Sequence, residues 1–135
     1  MKQIVGMIAI EKDRLLLVRD EEREFWTLPG GKTKKGESSI TALIREIGEE
    51  LPRVRIVCFT PYKEFTGITP HSKVEATVIT FVAKIHGPTL GGVEITGVQW
   101  ASVDDLERLN LHSITLKIIN SLREDGLLTG PVQDL

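Results

Sequence analysis

Leu28-Pro29-Gly30-Gly31, then Glu37, then Arg45-Glu46-Ile47-Gly48-Glu49-Glu50 is the stretch on which the reading of the whole chain turns. The paired glycines predict a tight loop. Ser38 or Ser39 can accept a backbone N–H bond and open a helix over about 38–50. Ile40, Leu43, Ile44 and Ile47 recur at i, i+3, i+4 and i+7, the spacing that turns one helical face toward a sheet. Pro52 ends the helix, since it has no amide hydrogen and disfavours helical geometry at Leu51.

Glu46 shares a face with Glu50, four residues on, and neighbours Glu49, three residues on. Glu49 and Glu50 diverge by about 100° around the axis, because a turn takes about 3.6 residues. The three carboxylates therefore predict a shallow acidic cup. Crowded carboxylates repel, and a cation relieves the repulsion. A divalent metal is the natural partner, and phosphate chemistry follows from it. Arg45, one turn before Glu49, can hold that carboxylate. Glu37 lies where the helix dipole favours negative charge and can pair with Arg45. An acidic helix face alone is an ordinary solvated surface, but the full pattern is harder to reach by accident. With Gly, Glu and Arg each at roughly 6–7% of average usage, six specified positions match by chance with a probability on the order of 10⁻⁵.

Gly31-x5-Glu37-x7-Arg45-Glu46-Ile47-x-Glu49-Glu50 resembles the signature box of the Nudix hydrolases, and Trp26-Thr27-Leu28-Pro29-Gly30-Gly31 resembles the lead-in to that box. The box covers residues 31–53, and a weaker likeness in element order extends over most of the chain. The resemblance implies an α/β fold, an α/β/α sandwich around a mixed β-sheet. It implies Mg²⁺, with Mn²⁺ as a substitute, held by Glu46, Glu49 and Glu50. Glu37 and Arg45 become supports, and the backbone of Gly30 and Gly31 fits the loop against the metal site. The implied catalytic set is Glu49, Arg45, Glu46 and Glu94. Glu94, in Gly91-Gly92-Val93-Glu94-Ile95, matches a fourth carboxylate that the family often takes from a loop before a strand. It is a further ligand or the general base, and Glu49 is the other candidate for base. Lys32 is assigned to phosphate support. Lys34 and Lys35 extend the basic run, whose ordinary reading is a solvated loop for at least two of the three. Two departures are visible, since Pro52 stands where the family has glycine and Arg53 where it has an aliphatic residue. Both concern the exit from the helix. Gly48 sits inside it at a cost of roughly 1 kcal/mol relative to alanine.

The activity implied by the resemblance is hydrolysis of a diphosphate bond in a nucleoside diphosphate linked to another group. A nucleoside triphosphate cleaved to monophosphate and pyrophosphate is the first expectation, with ADP-ribose and dinucleoside polyphosphates as alternatives. A nucleotide-binding sensor without turnover is a rival favoured only by Pro52 and Arg53. The isopentenyl diphosphate isomerase branch uses a reactive cysteine, which Cys58 in an apolar, strand-like setting matches poorly. A nucleotide base wants an apolar or aromatic slot. Tyr62 and Phe65, near loops, are the candidates for it; Phe25 is a third, while Phe81 and Trp100 read as core. His71, His86 and His112 show no metal-ligand spacing, and His71 alone lies near a plausible pocket.

Composition bounds the rest. A chain of 135 residues reads as one domain, 1–135, large enough to bury a core. Hydrophobic content of 41% beside 27% charged residues is ordinary for a soluble globular protein. A net charge of -2 offers no bulk attraction to nucleic acid or anionic membrane. The expected partner is a small nucleotide derivative, with a homodimer left open. The single cysteine excludes an internal disulfide, and its neighbours Val57 and Phe59 predict a strand with the thiol packed. No segment approaches membrane-spanning length, the run from Ile4 to Ile10 reads as a strand rather than a signal peptide, and a cytoplasmic location is expected. The patterning predicts a hairpin of 3–10 with 14–19, a short strand at Phe25 to Leu28, a strand over 54–66 bent at Pro61, and a loop over 66–71. It predicts a long strand over 73–86 buried on both faces, a strand over 95–101, a helix capped by Ser102, a last helix over 112–123 and a loose tail from Thr129.

Overall fold

β1 (Lys2–Ile8) lies inside a four-stranded sheet of order β4-β1-β6-β5. It runs parallel to β6 (Glu75–His86) and antiparallel to β4 (Gly30–Lys32), and β5 (Arg55–Ile68) closes the far edge antiparallel to β6. The molecule is seen in a computed structural model that describes residues 2–22, 24–69 and 73–130. At Ala9 the chain steps into β2 (Ile10–Glu11), which joins β3 (Arg14–Asp20) and β7 (Ile95–Ala101) in an antiparallel sheet of order β2-β3-β7. Lys12 and Asp13, both at positive φ (51° and 59°), make the two-residue turn between β2 and β3. The expected hairpin is thus divided between two sheets, and only its last two residues pair with β3. The Leu16 N–H donates to the Ala9 carbonyl at 3.0 Å across the divide.

Strand alternation builds the layers. Val5, Met7, Ala9, Leu16 and Val18 point to one side, where α1 (Ser39–Glu50) covers them with Ala42, Leu43 and Ile47. Ile8, Leu15 and Leu17 point to the other, under α2 (Val103–Leu106) and α3 (Ser113–Glu124). The result is the expected α/β/α sandwich, its middle layer made of one mixed and one antiparallel sheet. Each such aliphatic side chain removed from water contributes about 1.5–3 kcal/mol. Phe81 is core, as read, and Trp100 packs half-buried against the α1 side.

Several expectations are corrected. Phe25 to Leu28 makes only isolated bridges, Val18 with Thr27 and Trp26 with Leu111, and the strand falls instead on the glycines. Ile40 and Ile44 do not face the sheet; they are 44% and 55% exposed. At about 100° per residue, the face carrying Ala42, Leu43, Ile47 and Leu51 also carries Glu46 and Glu50, so the helix is rolled to bring those carboxylates inward. Cys58 is exposed, because β5 is an edge strand. Strand β5 also runs on through Gly67 to Ile68, where a loop was expected. The chain is not loose at Thr129: its N–H and hydroxyl, and the Gly130 N–H, all donate to the Asp13 carboxylate at 2.9 Å, and the rest of the expected loose tail, 131–135, lies outside the described residues. Among the described residues no helix is long and apolar enough to cross a membrane.

Candidate active site

β4 and α1 meet at one end of a cleft of about 380 Å³. Ser38 starts α1 by accepting the Thr41 N–H at 3.1 Å, and Leu51 ends it by donating its N–H to the Ile47 carbonyl at 2.8 Å. Gly30 pairs with Gly6, and Gly31 with Val5, so the glycines are a strand rather than a tight loop. Gly30 sits at φ 149°, and a Cβ there would run into the backbone carbonyl of Val5. A Cβ on Gly31 would run into the Glu46 carboxylate. Only glycine lets β4 lie against β1 while α1 brings its carboxylates up to the strand. The Gly30 N–H then donates to Glu50 Oε1 at 2.8 Å.

Arg45 is the hub behind this surface. Its Nε donates to Glu37 Oε2 at 2.8 Å and its Nη2 to Glu37 Oε1 at 2.9 Å, a bidentate pair. Nη2 also donates to the Lys32 carbonyl at 3.0 Å, and Nη1 to Glu46 Oε1 at 2.9 Å. Nη1 reaches Glu49 Oε1 at 3.5 Å. The guanidinium beside Glu37, and then the Lys34 N–H, hold the Glu37 carboxyl down at about 2. The hydrogen bonds that Arg45 donates to Glu37, then to Glu46, raise it above its ordinary value. Both groups are therefore charged across the working pH range.

The fourth carboxylate arrives from the far side. The Gly92 N–H donates to the Glu50 carbonyl at 2.8 Å, satisfying an open carbonyl at the end of α1. A Cβ on Gly92 would collide with the Glu49 carbonyl oxygen. The Glu94 carbonyl accepts the Glu21 N–H at 3.0 Å, and the Glu94 residue lines the cleft. Gly30, Gly31, Lys32, Glu46, Glu50 and Glu94 all border this one cavity. Glu49 does not: its side chain is 59% exposed, against 15% for Glu46.

The three helix carboxylates thus do not form the even cup expected of them. Among the described residues no three His, Cys, Asp or Glu side chains converge into a group that would hold an ion. Arg45 draws Glu46 and Glu49 toward itself, and the Gly30 N–H draws Glu50. The donor set still suits a hard cation. Mg²⁺ takes oxygen ligands, and characteristically only one or two carboxylates with waters and substrate phosphates completing its shell. Glu46 and Glu50, facing a strand that carries no side chain at Gly30 and Gly31, meet that requirement.

The remainder of the wall is mixed: Ile4, Leu28, Val78, Ile114 and Ile118 form an apolar part, and Asp20, Thr27, Thr69 and Thr115 also border the cavity. Phe25 and His112 stand at its side, edge to face with centroids 5.7 Å apart. His112 caps α3, its Nδ1 accepting the Ile114 N–H at 3.3 Å, which places any ring proton on Nε2 while the imidazole is neutral. From the sequence His112 reads as an ordinary surface or loop histidine; the one further signal is a polar residue directly ahead of a helical apolar run. Tyr62 and Phe65 lie elsewhere. The Tyr62 hydroxyl is tied to Ser121 and Asp125, and Phe65 packs against the core under α3. The inward parity of β5 faces that helix, not the cleft. His71 lies outside the described residues.

The NUDIX domain family matches residues 2–122. The chain is 29% identical to the uncharacterized Nudix hydrolase YvcI of Bacillus subtilis, over 96% of this chain and 85% of that protein. It is 27% identical to an 8-oxo-dGTP diphosphatase of Buchnera aphidicola, over 90% of this chain and 97% of that one. The MutT Nudix hydrolase of Burkholderia pseudomallei shares the fold, with a TM-score of 0.77 at 24% identity over 88% of this chain and 95% of its own. A match that runs from β1 into α3 and contains the whole glycine–arginine–glutamate assembly makes this chain a member of the Nudix family, a pyrophosphohydrolase of phosphorus-containing anhydrides.

Proposed function

We propose that the chain, acting as one domain over residues 1–135, hydrolyses a nucleoside triphosphate to the monophosphate and pyrophosphate with Mg²⁺. The observation that carries this reading is one cleft bordered both by Glu46, Glu50 and Glu94 and by the apolar side chains of Ile4, Leu28, Val78, Ile114 and Ile118. The likeness to a relative named an 8-oxo-dGTP diphosphatase agrees with it. Glu46 and Glu50 would hold the ion, with Glu49, which stands outside the cleft wall, as the third ligand. When bound, the ion acidifies a coordinated water and offsets charge building on the phosphoryl oxygens. Arg45 keeps Glu46 oriented and charged, and Glu37 keeps Arg45 in place. Glu94 or Glu49 takes the proton from the attacking water; Glu94, unlike Glu49, borders the cleft. Lys32 meets a phosphate. The base and sugar occupy the apolar end beside Phe25 and His112, which replaces the slot first assigned to Tyr62 and Phe65.

The test is product release from a nucleotide panel with Mg²⁺, with and without chelator. Glu49→Gln and Glu50→Gln are expected to lower turnover by about 100-fold or more while the fold survives. Full activity in both variants, or tight nucleotide binding with no product from the unaltered protein, would overturn the reading.

A further inference from the structure

Beside the cleft lies a second recess of about 390 Å³, within the size range of small-ligand pockets. Its walls carry Lys2, Lys32, Lys34 and Lys35. Four of the chain's 17 Lys and Arg residues therefore meet at one concavity of a protein whose net charge is -2. Among the described residues the only carboxylate in the wall is Glu37, and both its oxygens are engaged by Arg45. No ion pair joins Lys32, Lys34 or Lys35 to a carboxylate among the described residues. Like charges facing one another are unfavourable until an anion enters between them. The Lys2 ammonium shows the strain: its contact with Lys32, then burial, pull it below the ordinary lysine range. The recess adjoins the cleft, and Lys2 and Lys32 belong to both walls.

We propose that this lysine recess is a subsite for a further phosphoryl group of the substrate, beyond the diphosphate that is cleaved. It favours chains of three or more phosphates over a diphosphate whose far side is a neutral sugar. The register explains its position. Lys32 on β4 stands opposite Ile4, two residues along β1 from Lys2, so both lysines project on one face at the open edge of the sheet. Lys34 and Lys35 follow in the loop that the Glu37–Lys34 hydrogen bond holds closed at 2.9 Å. An extended phosphate chain leaving the carboxylate end of the cleft enters this corner.

The inference rests on the nucleotide reading above, so its test has one arm that needs no turnover. Lys34→Gln/Lys35→Gln is compared with the unaltered protein. Calorimetry with inorganic tripolyphosphate, with chelator present, is expected to show single-site binding weakened about fivefold or more in the variant. In the kinetic arm, KM for a nucleoside triphosphate rises about fivefold with kcat unchanged, and KM for ADP-ribose stays within about twofold. Absent or unaltered tripolyphosphate binding would overturn the subsite, as would an equal rise of both KM values. If no nucleotide is turned over at all, the activity reading falls and calorimetry still decides the recess.

Discussion

Gly31→Ala separates the site from the fold. An alanine Cβ at this position would stand 2.8 Å from Glu46 Oε1 and 2.5 Å from its Cδ, where ordinary contact begins at 3.4 Å. The carboxylate must therefore retreat by roughly 1 Å, and misplacement of a catalytic group on that scale costs about 100-fold in rate. That corresponds to about 2.7 kcal/mol of lost transition-state stabilisation. The fold has no comparable complaint. The obstacle is the end of a flexible side chain, and Gly31, unlike Gly30, has no positive φ to strain an alanine. The smaller backbone freedom of alanine in the unfolded chain even favours the variant by about 0.4–1 kcal/mol. The assay is nucleoside triphosphate hydrolysis at saturating Mg²⁺, read with the thermal midpoint of the same sample. The expected result is kcat/KM down about 100-fold with the midpoint within about 3 °C of the starting protein. Gly30→Ala is the contrast: its Cβ meets the rigid Val5 carbonyl at φ 149°, so stability and activity should fall together. Full activity in Gly31→Ala, or activity lost only in step with unfolding, would refute the argument.

Gly92→Ala should push the Glu94 loop off the end of α1 and lower kcat about tenfold to a hundredfold, with the nucleotide KM little changed, as steady-state kinetics would show. Acidification should weaken the fold between the ordinary carboxyl value of 4.5 and the folded value of about 2 at Glu37. In that window the unfolded chain takes up a proton that the folded chain does not, so stability falls as pH falls; urea midpoints from pH 6 to 2 should show a shallower slope in Glu37→Gln. The lowered carboxyls of Asp105, bonded to Ser102, and Asp125, bonded to Lys63, add to the same trend. Leu16→Ala removes a fully buried side chain beneath α1 and should cost about 2–5 kcal/mol by denaturant titration.

The helix over 39–50 was legible because Ser38 and Pro52 are local signals that bound it, and helical spacing holds within it even though Ile40 and Ile44 turn to solvent. Its orientation was not. Periodicity cannot show that Glu46 and Glu50 lie on the buried face, because that depends on a neighbouring strand built of Gly30 and Gly31. For the same reason the glycines read as a loop: their pairing partner, β1, lies far back in the chain. Arg45 and Glu37 were readable as a pair from spacing alone. The misplacement of Tyr62 and Phe65 has a different cause, since strand parity says which residues share a face but not which helix covers it. His112 had no site role in the sequence because a lone histidine carries no pattern, and only the cleft shows what it stands beside.

The split interior has an evolutionary corollary. The helix that carries the proposed metal-binding glutamates is anchored in the packing of Val5, Met7, Leu16 and Phe81, whereas the apolar part of the cleft wall belongs to the packing of Leu28, Val78, Ile114 and Ile118. Descendants can therefore exchange residues of the second set, and with them the preferred molecule, without loosening the machinery mounted on the first.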